Sequence, residues 1–247
     1  MMRAKIFEER TGTHVEMYVW LAHLMIGFGT ALLAFLLALF EDASVEFRKS
    51  KVQYLLDQSE DSTGKALIFY IMFGAVFVLI ANLLTIYVGP GANGSGVAEI
   101  MGFLNGINYP GLIGFRTLLV KVLGTFFAVA GGLCIGKEGP LAHIGANVGA
   151  ICMHLPFKGF KCIQNDVHKR QLVAAGASAG VSAAFGSPIG GSLFSYEISK
   201  PNTFWTFSML WRVFFCSSIC TFTLSIFTSL HAGSPLTLTD SATLKFG

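Results

Sequence analysis

The stretch Gly136–Gly145 combines charged side chains with helix-starting residues in a way that could bind an anion. It reads Gly-Lys-Glu-Gly-Pro-Leu-Ala-His-Ile-Gly and lies where one apolar segment ends and the next begins. Pro140 has a fixed φ and no N–H to leave unpaired, so it predicts the first position of a helix. The N–H groups of Leu141, Ala142 and His143 would then lack partners within the helix and carry the positive end of its dipole. A helix start of this kind is an anion site built from backbone.

Glu138 lies directly ahead of this helix start. Its carboxylate is a tethered anion that could occupy the site when ionised and leave it when protonated. An acidic cap on an ordinary helix would explain the residue on local grounds. The functional interpretation is favoured because ionisable groups within membrane segments are costly and usually serve a function.

The composition is that of a membrane protein. Hydrophobic residues make up 53% of the chain and charged residues 13%, with a mean hydropathy of +0.63. The runs Val19–Phe40 and Ala66–Val88 each exceed the roughly 20 apolar residues that cross a bilayer. We therefore predict an all-α polytopic protein in a lipid bilayer, without a removable signal peptide.

The net charge of the chain, +3, is small and the basic residues are scattered, which argues against nucleic acid as a partner. The five cysteines lack metal-type spacing, so no metal site is predicted and packing is their expected role.

The apolar and polar runs predict the order of elements. Tyr18–Phe40 is the first span, Glu41–Lys65 a polar loop and Ala66–Val88 the second span. Thr117–Ile135 is a third apolar segment, and its Lys121 is expected to snorkel to an interface. Further along, the sequence predicts a helix over Leu141–Leu155, a basic loop over Pro156–Gln171 on the cytosolic side, a small-residue segment over Leu172–Gly191 and a last span over Thr203–Leu230.

A second short helix is predicted to start at Ser95 and to run through Leu104, with Glu99 in its first turn. The helix at Pro140 is also too short to span a bilayer unaided. Two short helices of this kind are typical of discontinuous membrane helices, whose N-termini can meet near the midplane and face an anion. An ordinary capped re-entrant helix is an equally good local explanation of the Ser95 stretch.

Two enzyme-like patterns are present and neither is favoured. Gly89–Gly94 fits the glycine spacing of a dinucleotide site, but a full-length span precedes it and no acid lies between Glu99 and Glu138. Gly176–Gly180 fits the spacing of a nucleophile elbow, but the strand and the downstream acid and histidine of a hydrolase are not predicted. Its small residues at four-residue spacing favour close helix packing. We therefore expect no enzymatic activity.

Three stretches together resemble the CLC family of chloride channels and proton-coupled chloride exchangers. They are Gly94–Glu99, Gly136–Pro140 with His143, and Ala174–Glu197. The similarity runs from about Tyr18 to the C-terminus and is closest to the eukaryotic endosomal, lysosomal and vacuolar branch. It implies the first half of an inverted-repeat fold with broken and re-entrant helices, in an integral membrane protein of one of those compartments. It also implies chloride as the transported ion, protons as a second ion in exchangers, a homodimer with one pathway per subunit, and no cofactor.

The resemblance also implies roles for individual residues. Ser95 would give its hydroxyl to the central anion, and Glu138 would be the gating glutamate. The other residues implied to surround the anion are Gly96, Gly139, Leu141 and Ala142. The residues implied to support the site are Gly94, Gly136, Lys137, Pro140 and His143.

The chain departs from the family pattern in three ways. Ala98 stands where the family usually has proline. Ile198 follows Glu197 at the position where exchangers carry a proton-transferring glutamate, and this substitution argues against proton coupling. Only one of the two inverted halves is recognisable, so we expect a truncated product, a fragment or a split subunit. Its predicted parts are a cytosolic segment over residues 1–17, a membrane domain over 18–230 and a polar tail over 231–247. The alternative function is that of a non-transporting remnant or a regulatory subunit of a full-length relative.

Overall fold

A computed structural model describes residues 13–57, 63–154, 163–199 and 205–233. Within those ranges every regular element is helical, as the sequence predicts, and three of the helices are long and apolar enough to cross a membrane. The helices are α1 (Thr13–Leu56), α2 (Thr63–Leu83), α3 (Val97–Leu104), α4 (Phe115–Ala130), α5 (Glu138–Met153), α6 (Asp166–Phe185), α7 (Pro188–Ser199) and α8 (Phe207–Ala232).

Helix α1 is longer than the sequence predicts. The expected polar loop over Glu41–Lys65 is largely wrong, because the helix continues to Leu56 and the next one begins at Thr63; residues 58–62 lie outside the described residues. The segment from Glu41 to Leu56 contains neither glycine nor proline, and strong helix formers outweigh its polarity. Charged residues that the prediction left in solvent are therefore held on a helix that packs against α4 and α5.

Helix α2 confirms the second predicted span. Its regular part ends at Leu83, and a π-helical turn over Leu84–Val88 and a 3₁₀ turn over Pro90–Ala92 follow. Most of its apolar side chains are exposed in this chain, as expected for a surface that faces lipid or another protein segment. The irregular turns redirect the chain towards α3.

Helices α5 and α6 cross at glycines. A Cβ atom on Gly145 would contact the carbonyl oxygen of Gly176, and a Cβ on Gly176 would contact that of Gly145. A Cβ on Gly180 would likewise meet the carbonyl oxygen of Leu141. The close helix packing predicted from the spacing of Gly176 and Gly180 is therefore confirmed. It fixes the position of α5, the helix that begins at the candidate anion site.

Ser178, the serine of the elbow-like pattern, lies inside this packing. It is fully buried within α6, and its hydroxyl is 2.7 Å from that of Ser217 on α8. Helix α6 ends at Phe185, its C-cap Gly186 has a positive φ of 63°, and α7 begins at Pro188. The small-residue segment predicted over Leu172–Gly191 is therefore divided between two helices.

The predicted basic loop over Pro156–Gln171 is partly wrong. Residues 155–162 lie outside the described residues, but α6 already begins at Asp166, so Lys169 and Arg170 are helical. Arg170 donates from Nη1 to the carbonyl oxygen of Phe103, at 2.6 Å, and thereby caps the C-terminal end of α3. A basic residue at that end is favourable because it meets the negative pole of the helix.

The last predicted span corresponds to α8, which packs against α1 and α6. Thr206 caps it by accepting a hydrogen bond from the N–H of Met209. Of the four cysteines that the structure describes, Cys134 is exposed and the other three are buried in packing regions, as predicted: Cys152, Cys216 and Cys220. Cys162 lies outside the described residues. Of the two predicted terminal segments, residues 1–12 and 234–247 lie outside the described residues, and Thr13–Met17 belong to α1.

Candidate functional site

The helix start after Gly136 is two residues earlier than predicted. Helix α5 begins at Glu138, with Lys137 as its N-cap, so Pro140 is the third helical residue rather than the first. The amide of Leu141 is not free, because it donates to the carbonyl oxygen of Lys137 at 2.9 Å. In a helix that begins at Glu138, the amides without intrahelical partners are those of Glu138 and Gly139. The positive end of the dipole therefore lies closer to the Glu138 side chain than the sequence indicates.

The start of α3 is also displaced from its prediction. Helix α3 begins at Val97, and Gly96 is its N-cap with a positive φ of 84°. Ser95 precedes the cap, and its Oγ accepts a hydrogen bond of 3.4 Å from the N–H of Val97. The helix forms although Ala98 replaces the usual proline of the family.

The starts of α3 and α5 meet. An added Cβ on Gly139 would lie 2.7 Å from the Cβ of Ser95, which leaves no room for a side chain between the two segments. A Cβ on Gly96 would meet the ring of His143 in the same way. The predicted meeting of the two short helices at their N-termini is therefore confirmed. It explains why glycine occupies both contact positions.

A cleft of about 570 Å³ opens beside this meeting point. Ser95, Gly136 and Pro140 line one side of it, and residues of α2 and α4 line the other. Ser95 is exposed in this chain, so its hydroxyl is accessible from the cleft. The place where two helix N-termini converge is thus also the place where a small ion can enter.

Glu138 is exposed, and its carboxylate turns back over Gly136. A Cβ at position 136 would contact Glu138 Oε2 directly, so the absence of a side chain there makes room for the carboxylate. The carboxylate therefore lies over the loop before its own helix, at the edge of the cleft that Gly136 lines. A group in this position can approach or leave the helix start by rotating its own side chain.

Lys121 is a site residue that the sequence analysis missed. Instead of snorkelling to an interface, it is only 2% exposed and lines the cleft. Its Nζ donates to the carbonyl oxygens of Ala92 and Gly94, at 3.0 and 2.6 Å. These carbonyls belong to the turn that leads into Ser95. Lys121 therefore holds that turn in place and puts a positive charge beside the cleft.

The buried ring of His143 packs against Gly96 at the start of α3. It is fully buried, and its Nε2 lies 3.0 Å from the carbonyl oxygen of Leu112. Since a carbonyl only accepts hydrogen bonds, Nε2 carries the proton and donates it. Asn147 donates to the carbonyl oxygen of His143 and accepts from the N–H of Gly114. This network ties α5 to the turn before α4.

Ile198 and Glu197 lie in different surroundings. Ile198 is 4% exposed and belongs to the apolar core, whereas Glu197 is exposed. Neither residue lines the cleft at the start of α5. Among the residues that the structure describes, no group of three His, Cys, Asp or Glu side chains is placed to hold a metal ion.

The sequence profile of the voltage gated chloride channel family matches residues 77–245, which include both helix starts and the cleft. The chain belongs to this family, the CLC proteins. It is 35% identical over 254 aligned residues to H(+)/Cl(-) exchange transporter 7 of Bos taurus, covering 97% of this chain and 31% of that protein. It is 38% identical over 208 residues to chloride channel protein CLC-d of Arabidopsis thaliana, covering 81% of this chain and 26% of that protein.

Solved CLC structures have the same fold. A slow cyanobacterial Cl-/H+ antiporter matches with a TM-score of 0.72 at 24% identity, over 85% of this chain and 46% of that one. A eukaryotic CLC transporter matches with a TM-score of 0.75 at 22% identity, over 88% of this chain and 39% of that one. The predicted CLC-type helical membrane fold is confirmed. The chain spans about a third of the length of the curated relatives it matches.

Proposed function

We propose that this chain is the N-terminal half of a CLC chloride transport protein and supplies the part of its chloride pathway that is gated by Glu138. The observation that carries the proposal is the contact between Ser95 and Gly139, which brings two helix N-termini together beside the buried Lys121. Unpaired amides, a hydroxyl and an ammonium are all hydrogen-bond donors, and they suit a small halide ion. The relatives named as chloride channels and H(+)/Cl(-) exchangers support chloride as the ion.

In this proposal the gate works by competition between two anions. When ionised, the Glu138 carboxylate occupies the positive end of the α5 dipole and excludes chloride. When protonated, it loses its attraction to the amides of Glu138 and Gly139, and chloride takes its place. Gly96 and Gly139 complete the backbone around the ion, whereas Leu141 and Ala142 follow within the first turns of α5, where the Leu141 amide is already paired. The proposed assembly is a homodimer in an endosomal, lysosomal or vacuolar membrane. The alternative of a non-transporting remnant is not favoured, because both helix starts and the cleft beside them are present.

Ser95 is expected to select the ion. Its hydroxyl is a neutral donor that suits a spherical halide, and nitrate-preferring members of the family carry proline at the matching position. We expect chloride to be preferred over nitrate by the full-length protein in liposomes, and Ser95→Pro to shift the ratio towards nitrate. Uptake of the two anions at equal gradients measures this ratio. Ala98→Pro, which restores the family's usual proline nearby, is the matched control and should leave the ratio unchanged. An unaltered ratio in Ser95→Pro would show that Ser95 does not select the ion.

Ile198 is expected to prevent tight coupling to protons. An isoleucine cannot bind a proton, and proton transfer needs a titratable group at the relay position. Glu197 cannot take over the relay position, because successive residues of a helix point about 100° apart. In this chain Ile198 is buried, whereas Glu197 is exposed. A chloride gradient across liposomes is therefore expected to drive little or no uphill proton movement. Ile198→Glu should restore pumping and Ile198→Gln should not. Stoichiometric pumping by the unaltered protein would contradict this account.

A further inference from the structure

The loop between α4 and α5, residues 131–137, is held at both ends by α1. At its first end Arg48 donates from Nη1 to the carbonyl oxygen of Ala130 at 3.2 Å. At its last end the Nζ of Lys137 lies 3.1 Å from Oε2 of Glu41. Glu41 and Arg48 are seven residues apart, which is about two helical turns and places them on the same face of α1. This is the part of α1 that the sequence predicts to be a loop.

The Glu41–Lys137 pair is buried unequally. The Glu41 side chain is 6% exposed and the Lys137 side chain 45%. Glu41 Oε1 is buried and has no hydrogen-bond partner in the described part of the chain. A buried carboxylate without its counter-ion is strongly unfavourable, so Glu41 depends on Lys137 for its charge to be tolerated. The ammonium is accordingly drawn towards α1.

Lys137 is the residue immediately before the proposed gate. The Glu138 carboxylate lies over Gly136, the residue on the other side of Lys137. The Lys137 ammonium therefore contacts Glu41 of α1, and the Glu138 carboxylate follows one residue later along the backbone, over Gly136. The charge on Glu41 offsets the attraction that Lys137 exerts on Glu138, and its loss would leave that attraction uncompensated.

Other charged groups lie on the neighbouring elements. Helix α4 contributes Lys121, which lines the cleft with Gly136, and α3 contributes Glu99; both lie near His143 of α5. Helix α1 adds Asp42 and Arg48 to Glu41. From Leu172 onwards α6 has no titratable side chain. All of these side chains are retained when Glu41 is replaced, so the comparison of the two proteins measures the effect of the Glu41 charge.

We propose that Glu41 is a positioning residue that sets the pH at which the gate opens, by anchoring and neutralising Lys137. The proposal rests on the proposed role of Glu138. Without the Glu41 charge, Lys137 stabilises the ionised, closed form of Glu138, and more acid is needed to open it. The charge effect is moderate because Lys137 is half exposed to solvent, which screens it.

The test measures chloride flux against external pH in liposomes that contain the full-length protein. We expect Glu41→Gln to move the midpoint to lower pH by roughly half to one unit, in line with the effect of a nearby unit charge. The double variant Glu41→Gln, Lys137→Gln should return the midpoint close to that of the unaltered protein. Asp42→Asn removes the same charge from the exposed neighbouring position and is the matched control. It should move the midpoint much less than Glu41→Gln.

An unmoved midpoint in Glu41→Gln, or an equal displacement in Asp42→Asn, would overturn the inference. So would a double variant as displaced as Glu41→Gln, because the effect would then not act through Lys137. If the buried amide of the new glutamine in Glu41→Gln impairs folding, Glu41→Leu removes the same charge with an apolar side chain and should move the midpoint in the same direction.

Glu138→Gln separates the proposed gate from the proposed role of Glu41. If Glu138→Gln keeps the pH dependence, the proposed gating role of Glu138 is wrong. If Glu138→Gln abolishes the pH dependence while Glu41→Gln has no effect, only the proposed role of Glu41 is wrong.

Discussion

Replacing Lys121 with methionine is expected to reduce chloride flux by roughly 10- to 100-fold, the equivalent of losing one or two hydrogen bonds from a charged donor. Methionine keeps much of the length and the apolar stem of lysine but has no ammonium. The variant loses the positive charge beside the cleft, and it leaves the carbonyl oxygens of Ala92 and Gly94 without their donor. Both changes act on Ser95, because those carbonyls belong to the turn that positions it.

The Lys121 prediction has a control on the same helix. Arg116 lies five residues earlier on α4 and is exposed, so Arg116→Gln removes an equal charge outside the cleft. We expect its flux to stay within about twofold of the unaltered protein, since exposed charges contribute little. The measurement is chloride efflux from liposomes containing equal amounts of folded protein, with thermal unfolding in detergent as a check on stability. Undiminished flux in folded Lys121→Met, or an equal loss in Arg116→Gln, would contradict the assignment.

The long apolar elements could be predicted from the sequence because the membrane restricts the possible structures. A bilayer requires helices of a certain length, and α2 and α8 are long enough and apolar enough on average to cross it. The broken helices α3 and α5 were also predictable, because glycine, proline and small polar residues end one segment and cap the next. The exact residue at which each of these helices begins could not be predicted. Helix α5 begins before Pro140, since proline is tolerated anywhere in a first turn, where it sacrifices no hydrogen bond.

The charged residues were predicted less well, because their surroundings come from distant parts of the chain. Glu41 and Lys137 are 96 residues apart, and no local pattern indicates that they pair. The polar residues after Glu41 resemble a loop in sequence, yet they continue α1 because the loop before α5 gives them partners. Lys121 had a usable signal: a lysine in the middle of an apolar helix is costly, and pairing is as common a solution as snorkelling.

The glycines illustrate the opposite case, in which a short pattern correctly indicates a tertiary contact. The four-residue spacing of Gly176 and Gly180 predicts a helix crossing, and the structure places them against Gly145 and Leu141. Spacing within one helix cannot identify the partner helix, however. The contact between Gly139 and Ser95 could be expected only from the idea that two helix starts share one ion.

The central claim is that Glu138 competes with chloride for the start of α5, and Glu138→Gln tests it most directly. Glutamine keeps the size of the side chain and cannot ionise. Chloride flux through the full-length protein in liposomes should therefore become independent of external pH and remain high where the unaltered protein is closed. Glu99→Gln changes a carboxylate in the first turn of α3 and is the matched control, which should keep the pH dependence. If Glu138→Gln instead shows the pH dependence of the unaltered protein, Glu138 is only a helix cap and the proposed gate is contradicted.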